Sequence, residues 1–273
     1  MMEALSYEFF QNALIAGLLA SVICGVIGSL VVVNRIVFLA GGVAHASYGG
    51  VGLAFYLGLP VLPVTAAFST GAALIMAWVT LSARERADTV IGVLWAAGMA
   101  LGIILLDLTP GYNADLMSYL FGSILAVPVS DLWLMAGLSA LVLALVALFS
   151  RGLLVMSFDT DFARARGVPV RFLHFLLMGL TALCVVMVIR VVGMILVLAL
   201  LTIPPFMAEG RSRSLGGMML FSSLLSALFC VSGLWLSFLL DLTSGACIIA
   251  VACLGFAVSL CLPARMPGQG RSA

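Results

Sequence analysis

The chain has 273 residues, 64% of them hydrophobic and 8% charged, with a formal net charge of +1, whereas an ordinary soluble domain is about 25% charged. With a mean hydropathy of +1.30, this composition excludes a water-soluble domain, and apolar runs recur throughout rather than forming one leader before a polar body. The 12 basic residues, all arginine, are dispersed rather than gathered into a patch, so nothing points to a nucleic-acid partner.

Taken in order, the first apolar run is Gln11 to Val33, close to the roughly 20 residues that cross a bilayer. The next segment, Ile36 to Leu59, is shorter in apolar content and holds "LAGGVAHASYGG", with His45 bracketed by Gly41 and Gly49 and flanked by a second small-residue stripe, Gly42, Ala46 and Gly50. Small residues at every fourth position let a neighbouring helix approach closely. Val61 to Leu81 and Val90 to Leu106 follow. Then comes "DLTPGYNADLMSYLFGSILAVPVSD", Asp107 to Asp131, in which Leu116 to Ala126 is too short to span. That piece reads as a re-entrant helix or as the start of a kinked long one broken near Pro128.

After the run Leu132 to Ser150 lies the longest polar interval, "SFDTDFARARGVPVR", residues 157–171. Asp159 or Asp161 can cap a helix start there, Arg164 and Arg166 sit near its end, and Gly167 with Pro169 stops it. The segment is either a solvated connector or a docking element for a cytoplasmic partner. Phe172 to Ile189 and Val191 to Ala208 come next, the second containing "LALLTIPPFMA". Pro204 and Pro205 remove two backbone donors, which predicts a bend or break of the kind that lines cavities in transporters. Leu215 to Leu240 and Ser244 to Leu262 complete the series.

These runs describe an all-α, polytopic transmembrane bundle of 8 to 9 spans forming one domain over residues 1–273. Arginines cluster at alternate segment ends, at Arg35, Arg84 with Arg86, Arg151 through Arg171, Arg211 with Arg213, and Arg265 with Arg271. The positive-inside rule makes those ends cytoplasmic, placing the N-terminus outside and the C-terminus inside.

No nucleotide loop, dinucleotide fingerprint, zincin helix or nucleophile elbow occurs, so no enzymatic site is expected. The six cysteines lie within apolar runs without ligand spacing and read as small hydrophobes. His174, near the start of a span, reads as an interfacial packing residue. His45 is different, because an ionisable group inside a span is a functional-site candidate by default. Met99, Met194 and Met207 offer thioethers that either pack or touch a passing ion.

Five stretches in order, "VVVNRIVFLAGGVAHASYGGVGLA", "DLMSYLFGSILAV", "DFARARG", "VGMILVLALLTIPPFMA" and "GLWLSFLLDLTSGACII", resemble the membrane permease subunits of ATP-binding-cassette importers for zinc, manganese and iron. The resemblance implies a multi-pass protein of the cell (inner) membrane that pairs with a second permease copy. It also implies two copies of a cytoplasmic ATP-binding subunit, an extracytoplasmic solute-binding protein, and a transported divalent metal ion rather than a bound cofactor. Asp161, Ala163 and Gly167 correspond to its ATPase-coupling helix, and His45 to its intramembrane histidine. Many members carry an aspartate where this chain has Gly41 and a second histidine where it has Ala96. Those departures leave a chelated metal or other small solute as an alternative to a free metal ion; separately, a transporter not powered by ATP is a further alternative.

Overall fold

The computed structural model describes residues 8–82, 87–109, 124 and 127–261, and among these every long regular element is an α-helix. In chain order they are α1 (Glu8–Val33), α2 (Val37–Leu57), α3 (Val61–Ser82), α4 (Ala87–Asp107), α5 (Val129–Leu148), α6 (Ser150–Phe158), α7 (Thr160–Ala165), α8 (Val170–Val192), α9 (Met194–Glu209), α10 (Leu215–Leu240) and α11 (Ser244–Cys261). Eight of them are long and apolar enough to cross a membrane. The remaining apolar run, Val191 to Ala208, forms only the 16-residue α9, about 24 Å at 1.5 Å per residue against a hydrocarbon core of about 30 Å. Its start is cut short at Gly193, whose φ of 84° and ψ of 163° end α8 one residue before α9 begins. Only glycine enters that region at low cost.

α1 is the central strut. It packs along α10 and α9 and also meets α5 and α8, while α2 is sandwiched between α3 and α4, and α3 leans on α8. The shared core runs through Ala13, Ala20, Ile23 and Ile27 of α1, Leu177 and Val185 of α8 and Leu200 of α9, all fully buried. By contrast Trp133, Leu220 and Leu254 lie well exposed on α5, α10 and α11. Lipid tails are as apolar as leucine, so outward apolar side chains carry no penalty in a bilayer. Cohesion then depends on close backbone approach, which small residues permit.

The turn from α1 to α2 brings Arg35 beside the end of α3, the start of α8 and α7. These segments line one cavity with Asn34, Thr80, Arg164 and His174. Asn34 Nδ2 donates to Ser157 Oγ at 2.8 Å, tying the α1 end to α6. Arg35 and Arg164 therefore lie together, beside the end of α3 and the start of α8. Except for Ile124, which is buried, the predicted piece Leu116 to Ala126 lies outside the described residues. Of the cysteines, Cys24, Cys184, Cys230 and Cys247 are buried, whereas Cys253 and Cys261 are exposed.

Candidate functional site

His45 sits near the middle of α2, the most enclosed of the eight spans. Its neighbours follow from how α2 meets α4. A Cβ on Gly98 would fall 2.6 Å from Ala46 Cα, and one on Gly49 would fall 2.9 Å from Gly98 O. A Cβ on Gly52 would lie 2.7 Å from Gly102 Cα. Glycines on both helices thus let the two backbones touch, as small-residue spacing does in membranes. The stripe of Gly42, Ala46 and Gly50 is used in packing as well: Gly42 abuts Ile91 and Met76, and Gly50 abuts Thr65 and Phe68.

This contact lays two α4 side chains, one helical turn apart, against the histidine. The Trp95 ring stacks on the imidazole with centroids 4.0 Å apart and planes 19° apart. Met99 Sδ lies 3.2 Å from Nδ1. Trp95 is itself backed by Phe38, with centroids at 6.0 Å. His45 remains partly accessible. Gly41 is buried yet has room, since a Cβ there would meet only Leu198 Cδ2 at 3.7 Å. Among the described residues no group of three or more His, Cys, Asp or Glu side chains is placed to hold a metal ion. Chemically, the arrangement offers one imidazole with a thioether and an indole beside it, which suits transient contact rather than a closed four-ligand metal centre.

Within the polar interval 157–171, Thr160–Ala165 fold as α7 with a cap at each end. Asp159 accepts from the backbone N–H of Asp161 at 3.0 Å and of Phe162 at 2.9 Å, so Asp159 is the N-cap and Asp161 lies in the first turn. At the other end Val168 N donates to Ala163 O and Gly167 N to Arg164 O, both at 3.0 Å. With Gly167 at φ 75° this is a Schellman ending. Ala163 is fully buried. Asp161 is exposed and pairs with Arg164 at 3.3 Å, and the Arg166 guanidinium lies over the Phe162 ring at 5.2 Å. Asp161, Ala163 and Gly167 therefore share one small, rigid element far along the chain from His45.

α9 runs on through Pro204 and Pro205 rather than ending there. Both residues lie inside α9 and are buried there, and the interruption is at Gly193, about three turns earlier. Removing two donors need not end a helix whose freed carbonyls face protein. Here α1 presses close: a Cβ on Gly28 would lie 2.7 Å from both Leu201 O and Pro205 Cγ.

Trp95 and Met99 are the contacts that motif reading left out of the site, although Met99 was a candidate thioether. Their spacing of four residues beside the Gly98–Gly102 pair is the signal that ties them to the α2 face, but it becomes legible only once α2 and α4 are known neighbours.

Residues 6–262 match the family described as the ABC 3 transport family. An uncharacterized membrane protein of Synechocystis sp. is 50% identical over 95% of this chain and 92% of its own length. The manganese transport system membrane protein MntC of Halalkalibacterium halodurans is 35% identical over 94% of this chain and 88% of its own. Among solved structures, PsaBC from Streptococcus pneumoniae in complex with Fab superposes with a TM-score of 0.86 at 33% identity, covering 95% of this chain and 93% of that one.

Proposed function

The chain belongs to the ABC 3 transport family and is a multi-pass membrane protein, and from that premise we propose that it is the permease subunit of an importer carrying a divalent metal ion, manganese first. The observation that carries the reading is the near full-length similarity to permeases named for manganese transport. Zinc and iron are the competing cargoes. In this reading the arginine-bearing end of the bundle is cytoplasmic, and a separate ATPase subunit, two copies per complex, docks on α7. A solute-binding protein delivers the ion from outside, and a second permease copy completes the path.

His45 is the side chain that meets the ion within the membrane, one imidazole per permease. A site so sparse binds weakly, which suits a conduit that must release what it receives. Asp161 stands exposed on the first turn of α7, Ala163 anchors the helix in the bundle, and Gly167 closes it. ATP-driven movement of the partner then reaches α6 and α8 through a short capped lever. Pro204 and Pro205, both buried in α9, line the ion's path from that helix, with Pro205 also against Gly28 of α1.

The test is rescue of a host lacking its own manganese importer by this chain with its ATPase and binding protein. Restored growth at limiting manganese, with zinc or iron unable to replace the manganese, is the expected outcome. Rescue by zinc or iron alone reassigns the cargo, and rescue by no metal overturns the reading.

A further inference from the structure

We infer that Met99 and Trp95 are positioning residues that fix the tautomer and orientation of the His45 ring, so that Nε2 is the atom offered to the ion. The inference rests on the reading of His45 as the ion-contacting side chain. A neutral imidazole carries its proton on one nitrogen and presents a lone pair on the other. Met99 Sδ stands 3.2 Å from Nδ1, and a thioether sulfur has no proton to give. The contact is attractive only when Nδ1 holds the proton and donates it toward sulfur; with the proton on Nε2, two lone pairs face each other. Free histidine prefers the opposite arrangement, with the proton on Nε2. Met99 therefore selects the form that is minor in water and leaves the Nε2 lone pair open.

Trp95 fixes the second degree of freedom. Its ring lies 4.0 Å from the imidazole and nearly parallel to it, and Phe38 backs Trp95 at 6.0 Å, so the imidazole plane is held against α4. Trp95 and Met99 are one turn apart on α4, and Gly98 beside Met99 brings that helix into backbone contact with Ala46 beside His45. One rigid helix pair thus sets both plane and tautomer. Metal-ligating histidines are ordinarily held by a carboxylate or carbonyl that accepts the other N–H and makes the ligand more basic. A thioether is a weak acceptor, so here the ring is oriented without its grip on the ion being strengthened. For a side chain that must hand an ion onward, that is the useful combination.

The test uses the permease, labelled with nitrogen-15 in histidine and combined with its unlabelled ATPase subunit, at alkaline pH where the ring is neutral. The chain has 2 histidines, so a His174→Asn variant assigns the His45 signals. The wild type is expected to show a protonated Nδ1 and an unprotonated Nε2. Met99→Leu, which keeps bulk and removes the acceptor, should return the ring toward the Nε2–H form. Its KM for manganese uptake should rise about fivefold with kcat retained, the dilution expected if about one fifth of the rings stay competent. Met99→Gln, whose amide oxygen accepts, should restore both the spectrum and the KM. A wild-type ring protonated on Nε2, or a Met99→Leu protein with unchanged spectrum and KM, overturns the inference. Undiminished uptake by His45→Ala overturns instead the reading of His45 as the ion-contacting side chain, and it does so without any change in the wild-type spectrum.

Discussion

Replacing Gly98 by alanine is the sharpest way to disturb the α2–α4 contact without touching a polar group. The new Cβ would sit 2.6 Å from Ala46 Cα and 3.0 Å from Ala46 O. Carbon atoms rest about 3.5–4.0 Å apart, so the helices must separate locally by about 1 Å. Both opposing atoms are backbone, and no rotamer change relieves them. Overpacking of this kind costs about 1–3 kcal/mol. Because His45 precedes Ala46 and Met99 follows Gly98, the same displacement stretches the 3.2 Å Nδ1···Sδ contact to roughly 4 Å, where its directional attraction has faded. The expected result is a melting midpoint of the detergent-solubilised complex lowered by about 2–4 °C per kcal/mol, together with a raised KM for manganese. Gly41→Ala is the matched control, one turn from His45, where the nearest atom is Leu198 Cδ2 at an ordinary 3.7 Å. It should leave both stability and uptake unchanged. A Gly98→Ala protein that melts and transports like the wild type, beside an impaired Gly41→Ala, would refute the packing argument.

Three further outcomes are expected. Gly167→Ala places a Cβ in the left-handed region at φ 75°, costing about 1 kcal/mol, and should weaken co-purification of the ATPase subunit while the spans stay folded. Ala163→Arg forces a charged side chain into a fully buried position and should abolish both ATPase association and uptake; normal transport by this variant makes the segment a mere connector. Gly28→Ala meets Leu201 O and Pro205 Cγ at 2.7 Å and should destabilise the α1–α9 contact by about 1–3 kcal/mol, read as a lower melting midpoint.

The long spans were legible because an apolar run of bilayer length has few alternatives to helix. The α7 caps were legible too, since Asp159 and Gly167 carry their conformations in their own chemistry. Of the bend or break expected at the proline pair, the sequence could not say which: the helix continues through both residues, and α1 lies close against them at Gly28. Gly193 was passed over because an isolated glycine in an apolar run does not declare a positive φ. His45 stood out by its polarity alone. Its partners did not, because Trp95 and Met99 lie 50 or more residues away in sequence and only the α2–α4 pairing selects that face of α4. The glycines of "LAGGVAHASYGG" show the same division: their packing role was readable, but which of them has space beside it was not.

The central claim is that His45 meets the transported ion. Uptake of radiolabelled manganese by cells carrying His45→Ala, with the permease–ATPase complex confirmed intact at wild-type abundance, tests it most directly. Loss of nearly all uptake from an intact complex is the predicted result. Uptake at the wild-type rate from the same complex would contradict the claim and move the ion's path away from the α2–α4 face.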